Sequence, residues 1–245
     1  MKNLTITVDD SVLEWARIEA ARRGASVSRM VGDFMAEMQR REDAYERAYL
    51  AWRTDERSWC AAGLQGQDAP AVADATDAPR SVCLRQAPVA APPGDTAISL
   101  PCDAAVFVDT CVLVLAEDTS AGVLHEQALA CLDPLWRERT GRVSTQGLTE
   151  FYEAVTGRAQ HAMAQGDARA AIRRYNSWTR WPIDAATLET AWALQARHPL
   201  AWGDCLALAA AQHSGCAALL SLHLPEGASY GGVQVVHPSR LRFGA

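Results

Sequence analysis

Residues 104–118 read AAVFVDTCVLVLAED. Val106, Phe107 and Val108 make an apolar run too short for a helix, and Asp109 and Thr110 follow at once. A run of this kind fits a strand buried on both faces. The remainder of residues 104–245 alternates short apolar runs with amphipathic helices, which is the pattern of βαβ units around a parallel sheet. A carboxylate ending such a strand stands where open α/β sheets gather their sites. It is also costly to bury without a partner. Asp109 therefore asks for a function before any other residue does.

Two further acids lie far downstream in similar settings. Glu150, in STQGLTEFYEAV, falls off the helical stripe of Leu148, Phe151, Tyr152 and Val155, so it can face a cleft. A solvated surface Glu is the plain alternative. Asp204, in HPLAWGDCLALAAAQHSG, precedes an almost wholly apolar helix. Its plain alternative is an acid favoured by the helix dipole. Three carboxylates on three elements can converge on a divalent cation.

These pieces, in this order, resemble a PIN-domain ribonuclease of the kind that forms the toxin half of virulence-associated toxin–antitoxin pairs. VFVDT, STQGLTEFYEAVT, WGDCLALAAAQHSGC, ALLS and GGVQVVHP carry the likeness, over residues 104–245. The resemblance implies an α/β fold with a parallel sheet between helices, an RNA substrate, and Mg²⁺ or Mn²⁺ held by Asp109, Glu150 and Asp204. Hard cations take oxygen ligands, and such a metal supplies both charge neutralisation and a hydroxide near neutral pH. The chain departs from the family twice. Cys111 replaces the usual Asn, and Leu222 and His223 follow Ser221 where an acidic pair is expected. His223 becomes a further candidate ligand, and imidazole suits Mn²⁺ better than Mg²⁺. A surface-loop His is its alternative reading.

The first 59 residues have a different character. Leu4, Ile6 and Val8 alternate with Asn3, Thr5 and Thr7, the period of a strand. A helix over 11–23 stopping at Gly24 follows, and Ser26 can cap a second helix striped by Val27, Met30, Val31, Phe34 and Met38. A single strand leaves half its backbone groups unmet, so a second chain is the simplest partner. Strand–helix–helix with an obligatory partner resembles the ribbon–helix–helix module of antitoxins, matched over residues 2–45. The resemblance implies a homodimer through residues 1–45. It also implies operator DNA read by Asn3, Thr5 and Thr7, with a phosphate held near Ser26 and Ser28. An amphipathic dimerisation domain with a Thr-rich solvent face is the alternative.

Residues 60–103 are rich in Ala, Pro, Gly and Asp without apolar periodicity, and read as a flexible linker between a 1–59 module and a 104–245 domain. At 5–6 Å × √n it spans roughly several tens of Å, which keeps the fused modules at an effective concentration near millimolar. The formal net charge of −6 gives no global basic signature, so nucleic-acid binding must rest on local patches. Lys2 is the only lysine, a sign of compositional bias that weakens arginine abundance as evidence of phosphate binding. The seven cysteines show no metal spacing, as expected of reduced thiols in a cytoplasmic protein. No apolar stretch reaches the ~20 residues that span a bilayer. The tryptophans of the second half read as core, with base stacking by Trp178 and Trp181 beside Arg173, Arg174 and Arg180 as the alternative.

Overall fold

The computed structural model of the protein describes residues 5–61, 97–157 and 161–244. The chain divides into two compact units, residues 1–47 and 48–245. This division falls earlier than the 59/60 boundary expected from composition.

In the first unit, α1 (Asp10–Arg22) and the start of α2 (Val27–Arg53) form a helical hairpin. Gly24 turns it at φ +62°, a conformation that costs glycine nothing. The Ser26 hydroxyl accepts the Arg29 N–H at 3.1 Å and caps α2. Ala16 and Ala20 are buried, whereas Val12, Trp15, Ile18, Phe34, Met35 and Met38 stand exposed. The strand expected before α1 is not formed: residues 5–9 carry no regular structure, and Ile6 and Val8 are exposed. Asn3 and Leu4 lie outside the described residues. A lone ribbon has no hydrogen-bonding partner within one chain, which accounts for the difference.

The second unit is built on a six-stranded sheet of order β4-β3-β2-β5-β7-β6, comprising β2 (Val106–Val108), β3 (Gly141–Ser144), β4 (Thr179–Trp181), β5 (Ala218–Leu220), β6 (Ser229–Tyr230) and β7 (Val233–Val236). Every pairing is parallel except β6 with β7. The helices between strands are α3 (Thr110–Glu117), α4 (Val123–Arg137), α5 (Thr145–Thr156), α6 (Gln165–Tyr175), α7 (Ala185–Arg197) and α8 (Trp202–His213). All three residues of β2 are buried, as its unbroken apolar run predicts.

Phe107, Leu219, Val233 and Val235 pack with the small-residue face of α8 (Cys205, Ala209, Ala210, Ala211) and with Ala191 and Leu194 of α7. A second, aromatic centre forms around Trp136 of α4, with Trp178 at 4.9 Å, Trp52 at 5.8 Å, Tyr49 at 6.1 Å and Tyr175 at 6.3 Å between ring centroids. Gly141 admits Trp178 there, since a Cβ would meet the indole at 2.6 Å.

Two parts of this unit come from outside the expected 104–245 domain. β1 (Ile98–Pro101) pairs in parallel with β8 (Leu241–Gly244). Residues 52–61 dock on the α/β body as well. Trp52 is 3% exposed, and its indole N–H donates to the Tyr175 hydroxyl at 3.4 Å. Arg57 lies 4.9 Å from the Trp52 ring and 3.7 Å from the buried Glu117 carboxylate. The Thr119 N–H donates to the Trp59 carbonyl at 3.0 Å, and the Ala61 N–H to Asp118 Oδ1 at 3.0 Å. Residues 62–96, the rest of the expected linker, lie outside the described residues.

Candidate active site

Strand order reverses at β2. The chain steps from β2 to β3 to β4 on one side, then crosses back to place β5 on the other. Carboxyl ends of neighbouring strands at such a reversal leave a crevice, because the flanking connections depart in opposite directions. Val108 is in register with Leu220, so Asp109 and Ser221 leave the sheet side by side at that point.

Asp109 is buried and fully engaged. Its Oδ1 accepts the Thr110 N–H at 2.7 Å, which caps α3. Its Oδ2 accepts the Ser221 hydroxyl at 2.8 Å and the Cys111 thiol at 3.4 Å. The Ser221 oxygen in turn accepts the His223 N–H at 3.2 Å. Thr110 joins the second acid to the first: its hydroxyl lies 3.1 Å from Glu150 Oε2 and donates there. Gln146, one turn earlier on α5, donates its amide to the other Glu150 oxygen. Glu150 is half-buried and lines a crevice with Asp109, Thr110, Gln146 and Ala207. Asp204 sits in the first turn of α8, also half-buried.

The three carboxyls influence one another. Burial, above all, pushes the Asp204 pKa up to about 6; Asp109 and Glu150 add to the rise and His223 opposes it. Burial likewise raises Glu150, against the hydrogen bonds from Gln146 and Thr110, with Asp109 again adding. None of the three forms an ion pair with arginine among the described residues. Neighbouring carboxyls disfavour one another's charge, which is the electrostatic character of a site for a hard metal. Two buried polar atoms beside it, His223 Nε2 and Gln146 Oε1, have no hydrogen-bond partner. The donor set fits a divalent cation in its chemistry. In geometry it is open: among the described residues no group of three or more His, Cys, Asp or Glu is drawn together tightly enough to hold an ion.

The description of one family, the PIN domain, matches residues 106–222. The fold of this segment is PIN-like. Among solved structures the chain is similar to that of VapC20 from Mycobacterium tuberculosis, a toxin that cleaves the sarcin–ricin loop. The identity is 23% and the TM-score 0.38, over 47% of this chain and 87% of that one. No curated protein matches the chain.

The fold thus brings Asp109 and Glu150 together through Thr110 and places Asp204 within electrostatic reach of both. His223 lies next to this group, with its ring nitrogen unpartnered. The site also contains two residues to which the sequence assigned no role. Ser221 orients Asp109, and Gln146 orients Glu150. Ser221 was discernible as the first residue past an apolar run, the same signal that marked Asp109. Gln146 had no signal beyond its spacing of one helical turn from Glu150.

The expected DNA-contacting residues are distributed differently. Thr5 and Thr7 are exposed outside any strand, Ser26 is occupied as a helix cap, Ser28 is exposed in the first turn of α2, and Asn3 lies outside the described residues. Two tryptophan expectations need correction. Trp136 and Trp178 are core, but Trp192 and Trp202 are 50% and 36% exposed. Trp178 is therefore closed to RNA. Trp181 is half-buried, donating to Thr187 at 2.9 Å and stacked on His213. No helix among the described residues is long and apolar enough to cross a membrane.

Proposed function

We propose that residues 104–245 are a divalent-metal-dependent endoribonuclease, fused to a ribbon–helix–helix antitoxin-like module that restrains it in the same chain. The observation that carries the reading is the gathering of acids at the β2/β5 reversal, where Thr110 joins Glu150 to Asp109 and where Asp109 adds to the rise that burial gives both Asp204 and Glu150. Asp109, Glu150 and Asp204 would hold Mg²⁺ or Mn²⁺, with His223 favouring Mn²⁺. The metal, when bound, neutralises phosphate charge and lowers the pKa of water. The chain's own residues do the positioning. Ser221 and the Thr110 amide fix both Asp109 oxygens, and Thr110 and Gln146 fix those of Glu150. Burial first, and the neighbouring acids second, raise the Asp204 carboxyl, and a bound cation would lower it again.

Fusion agrees with the docking of residues 52–61 on the PIN domain. Glu117, which receives Arg57, closes the helix that begins beside Asp109; eight residues of α3 make the separation on the order of 12 Å. The docked segment is thus an anchor beside the crevice rather than a plug within it. Homodimerisation through the first unit fits its exposed apolar side chains, and operator DNA would be read by the ribbon of such a dimer.

One observation favours a second reading, a non-catalytic regulator with a decayed PIN domain. Leu222 is buried where the family carries an acid, and the three carboxyls are not drawn onto a common point. Restoring acids by Leu222→Glu and His223→Asp separates the two readings. A nuclease gains metal-dependent cleavage of RNA, and a decayed domain gains none.

A further inference from the structure

A short chain of contacts surrounds one oxygen of Asp109. The Cys111 thiol lies 3.4 Å from Oδ2, the Ser221 hydroxyl 2.8 Å from the same oxygen, and the His223 N–H 3.2 Å from the serine oxygen. The His223 ring has a buried Nε2 without a hydrogen-bond partner, and it opposes the rise of the Asp204 pKa, so it stands within electrostatic reach of that acid. The acidic centre thus has a thiol and an imidazole beside its three carboxyls. Other buried cysteines meet neutral partners instead. The Cys131 thiol donates to the Pro238 carbonyl at 2.8 Å, and Cys216 stands 3.4 Å from the Ser214 hydroxyl.

We propose that Cys111 is a metal ligand of this site, paired with Asp109, and that together with His223 it makes the centre thiophilic, a seat for Zn²⁺ or an ion of its class. The inference rests on the metal reading of Asp109, Glu150 and Asp204. Oxygen donors alone suit Mg²⁺ or Mn²⁺, whereas thiolate and imidazole select Zn²⁺. The spacing agrees. With zinc about 2.3 Å from sulfur and about 2.1 Å from oxygen, two ligands at a tetrahedral angle stand about 3.5 Å apart. The Cys111–Asp109 contact has nearly that length already, so an ion takes the place of the thiol proton, which leaves to solvent, without separating the pair. Ser221 keeps its hold on Oδ2 and orients the carboxylate, as outer hydrogen bonds orient the ligands of zinc centres. Among the described residues no three such groups converge on one ion, so the remaining positions fall to His223 and water rather than to a closed cage. Zn²⁺ held through sulfur competes with the Mg²⁺ or Mn²⁺ that cleavage would use, which makes zinc supply a control on the site.

The test uses the full, reduced chain and three probe ions. Cd²⁺ stands in for zinc, because cadmium bound to thiolate absorbs in the ultraviolet and cadmium bound to carboxylate does not. Zn²⁺ affinity is read by competition with a chromogenic chelator, and Mn²⁺ affinity by electron paramagnetic resonance. The native chain should develop the thiolate band as Cd²⁺ is added. Cys111→Asn and the milder Cys111→Ser should each lose it and raise the Zn²⁺ Kd about tenfold or more, with the Mn²⁺ Kd unchanged within about twofold. Cys102→Ser should keep the band, and His223→Asp should move the preference back toward Mn²⁺. If the native chain binds Mn²⁺ at a site lost in Asp109→Asn but shows no thiolate band, Cys111 is only a packed thiol, and the metal reading stands without it. If the band survives both Cys111 variants, another cysteine holds the ion and the proposal is overturned. If no ion binds the native chain, both readings fall.

Discussion

Ser221 and Asp109 meet at the carboxyl ends of two adjacent parallel strands, the serine hydroxyl 2.8 Å from Asp109 Oδ2. Both residues are buried, so the bond is short of water and carries more of its intrinsic strength. It also fixes the carboxylate by the side opposite the Thr110 amide. Ser221→Ala should therefore cost about 1–3 kcal/mol of stability, the range for leaving a buried charged acceptor short of a donor. Urea unfolding of the native chain and the variant measures it. An unchanged midpoint would mean that Asp109 needs no such support.

Asp204 gives a pH dependence with a definite sign. Its folded-state pKa is raised to about 6 from an ordinary value of 3.8, so folding favours the protonated carboxyl. The associated stability is fully present below about pH 4 and is lost as pH rises through 6. In EDTA the protein should thus become less stable across that interval. Asp204→Asn should flatten the profile and stabilise the protein near neutrality by roughly 1–2 kcal/mol. That figure is already discounted for the side chain's partial exposure. Thermal melts over this pH range decide it, and a stabilising effect of neutral pH on the native chain contradicts the assignment.

Arg57 and Glu117 make a testable anchor. Their side chains are 8% and 4% exposed, and Arg174 shares the carboxylate at 3.4 Å. Burial raises the Glu117 pKa, and the two arginines and the Tyr175 hydroxyl counter it. Removing Arg57 leaves a buried acid with one cation instead of two. Arg57→Ala should destabilise the second unit by about 3 kcal/mol and expose the bonds around Trp59 to chymotrypsin. Identical proteolysis of variant and native chain would sink the anchor.

The first unit presents Ile6, Val8, Trp15, Ile18, Phe34 and Met38 to solvent in a single chain. Paired ribbons would cover Ile6 and Val8, so the protein should be a dimer at micromolar concentration. Ile6→Asp should return it to monomer, because it sets a charge in a two-chain core. Light scattering reads both. A native monomer rules out the ribbon.

Much of the α/β half was legible in the sequence because its signals are local. Val106–Val108 announced a buried strand, the acid ending it falls where the strand order reverses, and the off-stripe Glu150 lines a crevice there. The β1–β8 pairing was not legible: Ile98 and Leu100 alternate with Ser99 and Pro101 for only four residues, and their partner lies at the other end of the chain. Docking of Trp52 and Arg57 was equally hidden, since both sit in what reads as an extended polar helix. Trp192 misled for another reason. Large apolar residues are usually core, and nothing in a helical period distinguishes an exposed stripe from a buried one.

The central claim is that Asp109, Glu150 and Asp204 serve one metal-dependent cleavage of RNA, restrained by the fused module. Its most direct test is the Mn²⁺-dependent hydrolysis of single-stranded RNA. The chain would be assayed intact and after a cut at a protease site inserted in the Ala/Pro-rich segment, with Asp109→Asn as control. The account predicts weak cleavage, stronger with Mn²⁺ than Mg²⁺, that rises on cutting and vanishes in Asp109→Asn. Cleavage undiminished in Asp109→Asn, or none from either form with either ion, would contradict it.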